Sequence, residues 1–219
     1  MDITSLTTIY IILMNIMLAV TIIKLLSKQS EINNIKTKSI IILFSWLIFV
    51  GIFLESSILP QDISSFGLFS IVLIGVAIAG VILSPLFSAF LKLPQEFLLL
   101  PQAFRMFFGA GFIVEAVYNI IPINYGVIDG ILHITTAFLA TTLAIYIAHG
   151  YQSRKSLIAV NLFGLLDIVI VAYGIAFFIL NDIGVEHNVF YAVFFAAPIF
   201  IWLHILSLFK VYKECKEDK

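Results

Sequence analysis

Cysteine, charge and histidine are the scarce residues of this chain, and each scarcity excludes something. The single cysteine, Cys215, lies in the charged carboxyl-terminal tail. That rules out an intrachain disulfide and a thiolate cluster for metal, and a free thiol is expected there rather than a palmitoylated one. Charged residues make up 11% of the chain and apolar residues 62%, where a water-soluble domain has about 25% and about 45–50%. The fold expected is therefore an all-α polytopic membrane protein. Twelve Lys and Arg, all near the ends of apolar segments, are too few and too scattered to bind nucleic acid. The four histidines include no His-x-x-x-His and no Glu-x-x-His pair, so neither a metal site nor a cofactor is expected. No lysine precedes Lys210 in the last apolar segment, which excludes a retinal Schiff base. The first residues, Met1-Asp2-Ile3-Thr4, lack a basic region, so no removable signal peptide is expected.

What the sequence does contain is seven apolar segments, at about 5–27, 38–60, 66–91, 101–121, 127–149, 156–180 and 189–210. Each is near the twenty residues that a bilayer requires, and together they predict one seven-helix transmembrane domain. Lys24, Lys28, Lys36, Lys38, Lys92, Arg105, Arg154, Lys155, Lys210, Lys213, Lys216 and Lys219 all fall on one side of such a bundle. Glu55, Asp62, Asp129, Asp182, Glu186 and His187 fall on the other. By the positive-inside rule the amino terminus is expected outside and the carboxyl terminus in the cytoplasm.

Polar residues inside apolar segments are costly, and they mark candidate sites. Placed by helical rise, Glu115, Asp129 and His133 fall near the outer rim, Asp167 and Asn15 near the middle, and Arg105, Asn161 and His204 in the inner half. Asp129 and His133 are four apart, on one helical face, with Thr136 a turn deeper. Arg105 either snorkels to the interface or turns inward, where it could pair with Asp167 beside His204. His149 and His187 are expected to be solvated. The threonines of the fifth segment and Asn161 are also the kind of residue that joins helices by hydrogen bonds. Pro94-Gln95-Glu96-Phe97 and Pro101-Gln102-Ala103-Phe104 echo each other, and Pro101 is expected to start the fourth span with Pro94 in a short turn before it. Gly126-x-x-x-Gly130 and Gly109-Ala110-Gly111 are expected at close helix contacts, and Pro198 at a kink.

Gln102-x-x-Arg105, Gly109, Pro122, Asp129-Gly130, Asn161-x-x-Gly164-x-x-Asp167, Ala172-x-Gly174, Pro198 and His204-x-x-Ser207 together resemble a family of uncharacterised small bacterial multi-pass membrane proteins with no established activity. The resemblance covers residues 102–207. It implies a bacterial inner-membrane location and marks Arg105, Asp129, Asn161, Asp167 and His204 as motif positions.

Three functions are open to such a chain. The first is binding or transport of a small solute, coupled to protons or not, with Arg105, Glu115, Asp129, His133, Asn161, Asp167 and His204 as the binding candidates. The second is a membrane sensor or assembly protein whose polar network is structural. An intramembrane lipid-acting enzyme ranks below both, because the histidines fall at different depths. Membrane lipids, a small molecule or proton, and further copies of the chain are the partners considered. The first function makes a definite demand: a water-filled cavity must reach Asp167.

Overall fold

The computed structural model describes residues 2–29, 34–56, 59–60, 62–185 and 187–217. Glu186 and Lys219, both used in the charge pattern, lie outside the described residues, as does the side chain of Cys215. Every regular element among the described residues is helical. Seven helical stretches are long and apolar enough to cross a membrane: Ile3–Lys28, Ile35–Leu54, Ser64–Leu83, Gln95–Val117, Ile123–Ala148, Arg154–Ile183 and Val189–Glu214.

The number of spans matches the sequence reading, but the boundaries do not, and the reason is proline and serine chemistry. Helices α1 (Ile3–Gln29) and α2 (Ile35–Leu54) are followed by α3 (Ile63–Leu83), whose start is capped by Asp62 accepting from the Ser65 N–H at 2.8 Å. The third span does not run on to residue 91. Pro85 has no N–H to donate back into α3, and Ser84 accepts instead from the Leu86 N–H at 3.2 Å, which starts α4 (Pro85–Lys92). The fourth span begins at Gln95, directly after Pro94, rather than at Pro101. It comprises α5 (Gln95–Leu99), a 3-10 turn at Leu100–Ala103 and α6 (Phe104–Val117). Pro101 sits inside that tighter turn, so the chain passes through it without ending the span.

The earlier start changes the depth of Arg105. It is ten residues past Gln95, about 15 Å into the span at 1.5 Å per residue. It is therefore a mid-span residue, and it does not belong with the charges that flank the connections. The fifth span, α7 (Ile123–Ala148), starts four residues before 127, which places His133 ten residues from its beginning. The expected separation in depth between Arg105 and His133 disappears.

The sixth span joins α8 (Arg154–Gly174) to a π-helical turn at Ile175–Ile179 and to α9 (Leu180–Ile183). The seventh joins α10 (Val189–Tyr191), a π-helical turn at Ala192–Ala196 and α11 (Ala197–Glu217). Pro198 has no N–H for the Phe194 carbonyl four residues back, and the Trp46 indole N–H donates to that oxygen at 2.9 Å. The seventh span is the axis of the bundle, with 61% of its most apolar window buried; for the third span the figure is 11%. Helix α11 packs on α8, α5 and α3, while α6 and α7 form the most extensive helix pair.

His187 is half-buried rather than freely solvated. Its ring accepts from the Val189 N–H through Nδ1 at 3.1 Å, and burial pushes its pKa down to about 4, so it starts the seventh span as a neutral group.

Candidate functional site

The site begins with two glycines. A side chain added at Gly109 would lie 2.6 Å from the Gly130 carbonyl oxygen, and one at Gly130 equally close to the Gly109 carbonyl. The backbones of α6 and α7 therefore touch at this crossing, as only glycine permits. Arg105 lies one turn from Gly109, and Asp129 and His133 flank Gly130, so the crossing brings a guanidinium, a carboxylate and an imidazole to one level.

Helix α8 supplies the partner. Arg105 Nη2 donates to Asp167 Oδ2 at 2.5 Å, and both side chains are fully buried. Arg105 Nη1 donates to the Gly164 carbonyl at 3.0 Å, and its guanidinium carbon stands 5.6 Å from the centre of the Phe200 ring. Thr136 Oγ1 donates to Asp167 Oδ2 at 2.6 Å, and His133 Nδ1 lies 3.0 Å from Asp167 Oδ1. Both oxygens of this buried carboxylate have partners, so Asp167 is paired within the bundle.

On the other side of the guanidinium, Nη1 stands 3.4 Å from His204 Nε2, and His204 Nδ1 lies 2.9 Å from Asn161 Oδ1. An arginine can only donate, so Nε2 accepts and the His204 proton sits on Nδ1, bonded to Asn161. Asn161 Nδ2 donates to the Leu157 carbonyl and to Ser207 Oγ, each at 2.8 Å, and Ser207 Oγ donates to Gln95 Oε1 at 2.8 Å. The Gln95 amide returns a bond to the Ser207 carbonyl at 3.0 Å. A continuous polar seam thus runs from Gln95 through Ser207, Asn161, His204, Arg105 and Asp167 to His133. Gly164 is needed at its centre, because any side chain there would meet the His204 ring.

His133 and His204, placed at opposite depths by the sequence, both reach Arg105: His133 Nδ1 is 3.5 Å from Nη2. Asp129 is drawn in as well, with Oδ1 3.4 Å from His133 Nδ1, yet neither of its oxygens has a hydrogen-bond partner and the residue is 1% exposed. Glu115 is not part of the seam. It is fully buried elsewhere, where Asn188 Nδ2 donates to its Oε1 at 2.8 Å and also to Thr7 Oγ1 at 2.9 Å. Gln95 and Asn188 were missed by sequence reasoning. Gln95 looked like one of two helix starts, and Asn188 stood in a connection, where nothing signals burial.

A cavity of about 190 Å³ opens beside the seam, between α6, α8 and the seventh span, with His133 of α7, Ile74 of α3 and Ile175 completing its lining. Sixteen residues line it, and His133 is the only polar one among them. Phe108, Phe112 and Phe200 form its aromatic wall, and the Phe112 ring meets His133 edge-on at 5.7 Å. Its rim includes Val169 and Ala172, both exposed on the outer surface of the bundle. His133 Nδ1 is held by the seam, so the Nε2 edge of the ring is the polar group left for the cavity.

A family model described as a domain of unknown function, DUF8737, matches residues 63–212. The chain belongs to this family. The DUF8737 match contains the whole stretch 102–207 and begins at α3, so all the seam residues and the cavity lie inside it. No curated protein and no solved structure matches the chain.

Proposed function

We propose that the chain is an integral membrane protein, with its amino terminus outside and its carboxyl terminus in the cytoplasm of a bacterial inner membrane, that binds a lipid-soluble small molecule sideways from the bilayer. The observation that carries this reading is the cavity, with one imidazole among sixteen lining residues. A buried water needs two to four polar partners, and an apolar cavity of about 150 Å³ stays dry and accepts a benzene ring. A cavity of about 190 Å³ offering only His133 therefore suits a ring or a short acyl segment with a single hydroxyl or carbonyl, better than a hydrated solute. The mouth beside Val169 and Ala172 faces where lipid would be.

A route for water or a hydrated solute to Asp167 has less support, since that carboxylate is buried with all its partners in place. Within this reading the seam holds His133 in a fixed orientation and sets the register of four helices. That second role is also what a sensor or assembly protein would need, and the saturation of Asp167 favours it over proton conduction through the same group.

Native mass spectrometry of protein extracted with its surrounding lipid tests the reading. The wild-type chain is expected to carry a discrete small apolar adduct that Ala172→Trp, which fills the mouth from an exposed position, loses. Identical spectra for the two proteins would overturn it, as would a wild-type chain carrying ordinary phospholipid alone.

A further inference from the structure

We propose that Asp129, His133 and Asp167 bind a divalent transition ion of the manganese, iron or zinc class. One ligand atom from each of the three lies within 4.8 Å of the others. His133 Nδ1 is 3.0 Å from Asp167 Oδ1 and 3.4 Å from Asp129 Oδ1. Metal bonds of about 2.0–2.2 Å to nitrogen and oxygen give ligand edges of about 3.0–3.5 Å in octahedral or tetrahedral sites. The two edges that meet at His133 Nδ1 thus have the length expected around one ion, and the carboxylate oxygens lie within 4.8 Å of each other.

The independent sign of a ligand is Asp129. Asp129 is 1% exposed, neither oxygen has a hydrogen bond among the described residues, and the contact of Oδ1 with His133 Nδ1 at 3.4 Å is all that offsets its desolvation. An ion on Oδ1 would answer that deficit. Asp167 is prepared for the same role: Thr136 and Arg105 both bond its Oδ2 and fix the carboxylate plane, leaving Oδ1 turned toward His133. Such outer contacts are how metal-binding carboxylates are oriented. One imidazole with two carboxylates suits manganese, iron or zinc; calcium and magnesium favour oxygen alone, and no thiolate is present in the cluster. Arg105 is the cation that competes for this space. Its bond is to the far oxygen of Asp167, and with two carboxylates against one guanidinium the cluster retains a negative charge when His133 is neutral.

Paired histidines, the sequence mark of many metal sites, are absent; the set here uses a single histidine and spans two helices. An ion on Nδ1 would also place the remaining ring proton on Nε2, so the molecule in the cavity would accept a hydrogen bond. That consequence rests on the proposed function; the ion site does not.

The test uses the full chain purified in detergent without a polyhistidine tag or chelator. Elemental analysis is expected to find manganese, iron or zinc bound to the wild type, lost in Asp129→Asn and retained in Glu115→Gln, which alters a buried carboxylate outside the cluster. Ala172→Trp should keep the ion, separating this inference from the cavity reading. Should Asp129→Asn not fold, the wild type decides alone: after chelator treatment, added Mn²⁺ or Zn²⁺ should raise the unfolding temperature. Metal content equal in the wild type and Asp129→Asn would overturn the proposal. So would a metal-free wild type whose unfolding temperature ignores added ions, which would leave a proton as the occupant of Asp129.

Discussion

The glycines of α3 and those of α6, α7 and α8 are the same residue in two unlike settings. A Cβ added at Gly67, Gly75 or Gly80 meets nothing within 4 Å, whereas at Gly109, Gly126, Gly130, Gly164 or Gly174 it would come within 3 Å of a neighbour. Burial follows the same division: 50% of the most apolar window is buried in the fourth span and 11% in the third. A small residue in an apolar helix thus says little by itself. It fixes the fold only where a neighbour presses on it, and at Gly109, Gly130 and Gly164 that contact coincides with the polar seam.

Four substitutions probe this contrast, each read as thermal unfolding of the detergent-solubilised chain. The greatest loss is expected for Arg105→Gln, which leaves Asp167 buried without its counter-charge and should cost about 3–5 kcal/mol. Gly164→Ala comes next, at about 1–3 kcal/mol, because the added methyl must displace the His204 ring and with it the bond to Asn161. Thr136→Val removes one donor from an Asp167 oxygen that Arg105 still holds, and about 1–2 kcal/mol is expected. Gly75→Ala should cost nothing and could stabilise α3 by up to about 1 kcal/mol, since the methyl enters open space and favours helix. A loss at Gly75 as large as that at Gly164 would erase the distinction between the two regions.

The same contrast shows what was legible in the sequence. Seven helices followed from the apolar runs, and the awkward residues followed from charge within them: Arg105, Asp129, Asp167 and His204 stand out because hydrocarbon tolerates them poorly. Depth was less legible. Pro101 looked like a helix start and was a 3-10 turn inside the span, and that error of six residues, about 9 Å of rise, separated Arg105 from His133 on paper. Thr136 was legible as part of the Asp129 and His133 face, whereas Gln95 became recognisable only through its partner, Ser207. The cavity left no pattern at all, because it is bounded by ordinary apolar residues drawn from several spans, among them residues of two π-helical turns.

The proposed approach to His133 from the lipid side requires that the cavity be reached by apolar probes and closed to hydrated ones. A nitroxide placed at Ala197, on the cavity wall, in a Cys215→Ser background and in bilayers, measures this by power-saturation electron paramagnetic resonance. Strong relaxation by dissolved oxygen is expected, with little by a water-soluble nickel chelate. Chelate accessibility equal to or above that of oxygen would contradict it, since the opening would then be an aqueous one.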